Sequence, residues 1–227
     1  MDPFSYLHCK WIQFFEAVVL VSRIEKHQYS ATSIPAGDEV EVRVFISGGC
    51  KNGKSFYGKR LAKAQQTNFL YYIATMKSID AEDDERIVRH RKERDGWNFT
   101  TIEQPVDIEK ILDQCNCSGS FLLDSVTALL ANEMFLPGGF VNEQAARKVT
   151  EGLSKIICSI ENVVIVSDYM YIDAVSYDLL TERYRKSLAE VDCAVAKICD
   201  IVLEVAYGNA IVHKGSEAFD VVYQKIC

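Results

Sequence analysis

The feature that most limits what this chain can fold into is the stretch Gly48-Gly49-Cys50-Lys51-Asn52-Gly53-Lys54-Ser55. From Gly48 it reads G-x-x-x-x-G-K-S, the pattern of a loop that cradles phosphate. Glycines let the backbone curl so that successive N–H groups converge on phosphate oxygens. Lys54 is then expected to reach the outer phosphates, and the Ser55 hydroxyl to ligate Mg²⁺. Cys50 fills a position open to any residue and is assigned no chemistry. So short a pattern also arises by chance in Gly-rich turns, and its flanks decide between the two. Upstream, Val40, Val42, Val44 and Ile46 alternate with Glu41, Arg43 and Phe45, as in a strand. Downstream, 56–64 carries an amphipathic helical pattern whose N-terminus favours anions. Strand, loop and helix in that order predict a nucleoside triphosphate site.

From residue 40 onward strand and helix signals alternate, the signature of a sheet covered on both faces. Apolar runs predict strands over 42–47, 69–74, 120–123, 162–166 and 201–206. Helical patterns fall over 82–93, 125–133, 142–159 and 178–199. Tyr207-Gly208-Asn209, between two apolar runs, predicts a hairpin. The expected class is α/β, a three-layer α/β/α P-loop NTPase of RecA-like type with a mostly parallel sheet and a C-terminal hairpin. Residues 40–227 form the expected domain, preceded by an extension over 1–39 of no assignable role. Its apolar run 11–21 contains Gln13 and Glu16 and is too short to span a bilayer. It also lacks the pattern of a signal peptide. A net charge of −7 argues against a general nucleic-acid binder. The eight cysteines are scattered, and Cys115-x-Cys117 is one residue too tight for a zinc or redox pair, so reduced thiols in a cytoplasmic enzyme are expected.

Ligands of such sheets sit at the carboxyl ends of the strands. The residues there are Ala74-Thr75-Met76, Asp124-Ser125 and Ser167-Asp168. Phe121-Leu122-Leu123-Asp124 is an apolar strand ending in a carboxylate, as needed to hold Mg²⁺ opposite Ser55. Asp124 or Ser125 could equally cap the helix that follows, and the two roles are compatible.

Between 80 and 94 an acidic start gives way to a basic end, as in a solvated helix that complements its own dipole. Yet five basic residues fall within the nine positions 86–94, in an acidic chain. Arg86, His90 and Arg94 share one face. A neutral imidazole there has a lone pair that could attack phosphorus, and neighbouring arginines disfavour its protonated form. A lone histidine is more often structural, and the residues alone leave both readings open.

Taken together, Gly-Gly-x-x-x-Gly-Lys-Ser, Tyr72-Ile73-Ala74-Thr75, Arg86-Ile87 with His90 and Arg94, Trp97, Thr101-Ile102-Glu103 and Leu122-Leu123-Asp124 with Thr127 and Asn132 carry a resemblance. In order and spacing they resemble the adenosylcobinamide kinase/adenosylcobinamide-phosphate guanylyltransferase family over about residues 42–214. That resemblance implies two reactions at one nucleotide site. ATP or GTP phosphorylates adenosylcobinamide, and GTP then donates GMP through an enzyme histidine. His90 matches that histidine. Arg91, Lys92, Glu93, Arg94 and Glu103 match nucleotide-contacting neighbours, as does Thr75 within Tyr-Ile-Ala-Thr, and Asp124 matches the acidic residue after the third strand. A homo-oligomer, a trimer, is implied too. The chain departs from the pattern at Ser167-Asp168-Tyr169-Met170-Tyr171-Ile172-Asp173, where the family has Asn-Glu-Val-Gly, and at Asp192-Cys193, where it has Asn-Gln. A kinase-only member and a non-catalytic nucleotide-binding regulator are the rival expectations.

Overall fold

Short apolar runs bounded by turn residues give strands, and longer runs of period 3.6 give helices. The computed structural model describes residues 41–65, 68–78 and 81–225; the extension expected over 1–39 lies outside them. The strands are β1 (Arg43–Gly48), β2 (Leu70–Ala74), β3 (Thr100–Glu103) and β4 (Ser120–Asp124), a small ribbon of β5 (Phe135–Leu136) and β6 (Phe140–Val141), then β7 (Asn162–Asp168), β8 (Ile201–Ala206) and β9 (Asn209–Lys214). The helices are α1 (Lys54–Ala64), α2 (Ala81–Arg94), α3 (Val126–Met134), α4 (Ala145–Ser159), α5 (Leu179–Ile198) and α6 (Ser216–Gln224). A 3-10 segment covers Ile108–Asp113.

The main sheet runs β3-β2-β4-β7-β1-β8-β9, parallel from β3 through β8, with β9 antiparallel. The expected hairpin closes it, with Tyr207 at φ 51° and Gly208 at φ 76°, the left-handed pair that matches strand twist. Alternation sends successive side chains to opposite faces. Phe45, Ile73, Phe121, Leu123 and Ile165 pack against α3, α4 and α5. Val44, Ile46, Tyr72, Leu122 and Val164 pack against α1 and α6. The three expected layers are therefore present, with a core on each side of the sheet. Edge strand β3 and helix α6 lie outside the segments predicted from the sequence. The helix expected from 142 starts at Ala145, because Asn142 Oδ1 accepts from the Gln144 N–H at 3.0 Å and turns the chain. No helix among the described residues is long and apolar enough to cross a membrane. Their cysteines are all free thiols.

Two details position the carboxyl edge of the sheet. Gly58 lets α1 lie close on the sheet: a Cβ there would sit 2.9 Å from Leu122 and 3.3 Å from Val166. At the other face, α5 carries two buried polar groups toward the chain that leaves β7. Arg185 donates to the carbonyls of Met170 at 2.9 Å and Val175 at 3.1 Å, and to Asp173 Oδ1 and Glu182 Oε1, each at 2.8 Å. Such a fork satisfies its planar donors and fixes the course of that segment. Asp192 is fully buried; its Oδ2 accepts from Ser167 Oγ at 3.0 Å and Tyr171 Oη at 2.9 Å, while Oδ1 has no partner. Burial pushes its carboxyl from 3.8 up to about 7, and the two hydroxyl donors only partly oppose this.

Gly58→Leu is expected to lower the unfolding free energy by about 1–3 kcal/mol through overpacking, read from urea melts. For Asp192 the sign follows from proton binding. Above about pH 4 the unfolded chain has lost a proton that the folded state keeps until near 7, so stability falls as pH rises through that window. Asp192→Asn abolishes this dependence, and its Tm gain over the parent should be larger at pH 8 than at pH 5. Parallel Tm-against-pH curves would contradict the assignment.

Candidate active site

The phosphate-loop pattern sits where β1 gives way to α1. Gly53 holds φ 96° at the helix N-cap, and Lys51 also takes a left-handed φ of 59°. Two such reversals within three residues wrap the loop and leave the first N–H groups of α1 facing outward, without helical acceptors. The loop is braced from the hairpin side. The Gly208 N–H donates to Asn52 O at 3.3 Å, and Tyr57 Oη donates to Gly208 O at 3.1 Å. A Cβ on Gly48 would collide with the backbone oxygen of Val205, so the loop leaves β1 this close to β8 only with glycine there. Cys50 and Lys51 are exposed at the tip.

Lys54 is 5% exposed, and its ammonium donates to Gly49 O at 2.6 Å while pairing with Asp168 Oδ1 at 2.5 Å. Its side chain thus folds back over the loop, where a phosphate-directed lysine must lie. The partner comes from β7, whose last residue is in register with Gly48. Two backbone bonds fix Asp168: its N–H donates to Thr127 Oγ1 at 2.9 Å, and the next N–H, of Tyr169, donates to Gly48 O at 3.2 Å.

Asp124 ends β4, one strand beyond β7. Capping of α3 falls to Ser125, whose Oγ accepts from the Ala128 N–H, so the Asp124 carboxylate is free of that duty. It accepts instead from Tyr72 Oη at 2.8 Å. Burial and the Asp124 charge both push the Tyr72 phenol far up, so it remains a donor throughout the physiological range. Ser55 and Asp124 offer hard oxygen donors, the type Mg²⁺ takes alongside phosphate and water. Thr75 is engaged differently from the expectation of a ligand contact. Its hydroxyl donates to Ser125 O and accepts from Ser125 N–H, both at 2.7 Å, and so knits β2 to β4.

Helix α2 docks by its C-terminal turn. Lys59, buried on α1, donates to Glu93 O at 3.0 Å, supplying a cation to the end of the α2 dipole. Burial lowers the Lys59 pKa, opposed by the charges of Glu93 and Asp124. Arg94 lies over the Tyr72 ring at 4.0 Å from its centroid, and Tyr72 in turn holds Asp124. His90, one turn earlier on the same face, is half-buried, with Nδ1 3.7 Å from Glu93 Oε2. Among the described residues it makes no hydrogen bond or ion pair with Lys54, Ser55 or Asp124. Arg91 meets Glu103 at 2.6 Å, and with Arg94, Asp95, Phe99 and Thr101 they line an open cleft of about 340 Å³ between α2 and β3. Lys92 lies apart from that cleft, on the surface shared with Asp84, Glu85 and Arg89.

The tertiary structure thus brings Lys54, Ser55 and the glycines together at one strand end, and Arg91, Arg94 and Glu103 together at a neighbouring cleft. Tyr72 and Lys59 join the two groups, and Asp168 completes the first. None of these three was among the candidates read from sequence. In the sequence Tyr72 belongs to the Tyr-Ile-Ala-Thr stretch and Lys59 to the helical pattern over 56–64, with no role of their own. Asp168 stood at a strand end, which was its one signal.

The family model for cobinamide kinase / cobinamide phosphate guanyltransferase matches residues 44–212. No curated protein matches the chain by sequence. Among solved structures, the flagellar accessory protein FlaH from Methanocaldococcus jannaschii aligns at 13% identity and TM-score 0.40, over 79% of this chain and 81% of its own. A KaiC-like protein from Pyrococcus horikoshii aligns at 13% identity and TM-score 0.41, over 82% of this chain and 88% of its own. With a phosphate loop on β1, a carboxylate ending β4 and a family match across most of its length, the chain belongs to the cobinamide kinase / cobinamide phosphate guanyltransferase family.

Proposed function

We propose that the protein phosphorylates the aminopropanol hydroxyl of adenosylcobinamide, with ATP or GTP as donor, and then transfers GMP from GTP to adenosylcobinamide phosphate. The observation that carries this reading is the docking of the histidine-bearing helix onto the phosphate cradle. Lys59 ties α2 to the helix that starts at Lys54, and Arg94 ties it through Tyr72 to Asp124. His90 stands ~6 Å along the helix from Arg94, over the same side. A nucleotide whose phosphates lie on the loop therefore has an imidazole on the element next to it.

In the transfer half, an imidazole nitrogen of His90 forms a bond to the α-phosphorus of GTP as the bond to pyrophosphate breaks. A phosphate oxygen of adenosylcobinamide phosphate then displaces the imidazole, giving adenosylcobinamide-GDP. Two in-line displacements let one set of positive groups stabilise both transition states. Lys54 and the loop N–H groups hold the phosphates. Arg91, Arg94 and Glu103 offer a cleft with donors and an acceptor for the nucleoside. Mg²⁺, held by Ser55 and Asp124, would supply neutralising charge. On family likeness, the enzyme acts in the cytoplasm as a homo-oligomer, a trimer.

A kinase-only reading is favoured by one observation. The segment 167–173, where the family pattern is lost, is fixed in its own course by Arg185 and Asp192. Phosphorylated corrinoid without any GDP-linked product would select that reading.

With α-labelled GTP, the parent protein is expected to acquire acid-labile GMP and His90→Ala to acquire none; label retained by the variant would exclude this histidine as the nucleophile. Lys54→Ala is expected to slow both reactions by a factor on the order of 10²–10³, about 3–4 kcal/mol of transition-state stabilisation, in single-turnover assays. Unchanged turnover would remove the loop from the mechanism.

A further inference from the structure

The phosphorylation step needs an acceptor for the hydroxyl proton; the Lys54 ammonium has no free lone pair for it, and His90 makes no contact with Lys54 among the described residues. We propose that Asp168 is that acceptor and that it shares Lys54 with the transferring phosphoryl group. The proposal rests on the kinase half of the reading above.

Three observations support it. First, Asp168 Oδ1 lies 2.5 Å from Lys54 Nζ, so any phosphoryl group that Lys54 clamps comes within a side chain's reach of this carboxylate. Second, the residue is fixed at its backbone but open at its tip. Its N–H is held by Thr127 and the following N–H by Gly48, while its side chain is 30% exposed and Oδ2 makes no hydrogen bond or ion pair among the described residues. Third, the other carboxylates near the loop have other engagements. Asp124 accepts from Tyr72 through Oδ2 and is the carboxylate suited to Mg²⁺, Glu204 is held by Tyr169 at 3.1 Å and His213 at 3.0 Å, and Asp192 is sealed in the core. Strand order places β7 between the loop-bearing β1 and Asp124 on β4. Asp168 therefore stands between the phosphate loop and Asp124 along the carboxyl edge.

The step balances without a further reagent. The substrate O–H bond breaks and its proton goes to Asp168. The oxygen forms a bond to the γ-phosphorus, and the bond from that phosphorus to the β,γ-bridging oxygen breaks, its electron pair leaving with the nucleoside diphosphate. Lys54 turns from the carboxylate to the phosphate oxygens as they arrive. Like charge between those oxygens and Asp168 is relieved when the carboxylate takes the proton. The proton is later released to water. The charged and titratable groups that face Asp168 are Lys54 from the loop and Asp192 and Tyr184 from α5.

This dual role predicts two changes of opposite sign in one variant. Asp168→Asn removes the anion that competes for Lys54, so Mg²⁺ with the β,γ-imido analogue of ATP should bind several-fold more tightly by calorimetry. In single turnover, phosphorylation of adenosylcobinamide should slow by about a hundredfold or more, as for loss of a general base. Asp168→Ala should give the same pair of changes and stands in should the first variant misfold. Tighter binding with a slower step is a result that damaged structure does not give. A rate within threefold of the parent, or binding weakened together with the rate, overturns the proposal. Failure of the parent itself to form phosphorylated corrinoid overturns the kinase reading and the acceptor with it, whereas an active parent beside an equally active variant overturns Asp168 alone.

Discussion

The buried ammonium of Lys54 is the interaction on which the carboxyl edge of this sheet depends. A cation this far from water is stable only when paired and hydrogen-bonded, and Gly49 O and Asp168 supply both. Meeting that requirement joins parts of the chain more than a hundred residues apart. The loop must curl back over its own lysine, which sets the left-handed φ values at Lys51 and Gly53. β7 must lie beside β1 in a register that brings Asp168 level with Gly48. A phosphate ligand enters a site already arranged around one positive charge, so little reorganisation is required of the protein.

A second set of contacts extends this edge sideways. Lys59 on α1 holds the Glu93 carbonyl at the end of α2, and Arg94 beside it lies over Tyr72 of β2, which donates to Asp124. Each member is amphipathic: an apolar stem or ring packs in or against the core while the polar tip reaches a partner. The basic helix is therefore docked by its last turn and open along the rest of its length. His90 lies on that open length, with Arg86 and Arg89.

The segment after β7 is fixed by two polar groups of α5. Arg185 collects three carbonyls and two carboxylates from 170–182, and Asp192 ties Ser167 and Tyr171 to the core. The local result is a well-satisfied but different turn that leaves a carboxylate, Asp168, at the phosphate cradle. The segment is held by its own hydrogen-bonded arrangement. Oδ1 of Asp192 is left without a partner there, and burial of the group raises its carboxyl pKa.

What could be read from the chain alone was whatever depends on neighbours in sequence. The Gly-rich loop between a β-branched run and an amphipathic run identified itself. So did the strand ending at Asp124 and the basic row of Arg86, His90 and Arg94, because local backbone rules and helical spacing act over a few residues. Edge strand β3 was missed because its four residues, Thr100–Glu103, are held by pairing with β2 and carry little apolar signal of their own. Thr75 read as a ligand contact, yet its hydroxyl is taken by Ser125, fifty residues on. Only the tertiary structure could decide that Asp168 faces Lys54 and that Lys59 ends α2. Each is a buried lysine meeting a group remote in sequence, and a charge records its own presence in a sequence but not the partner that burial obliges it to find.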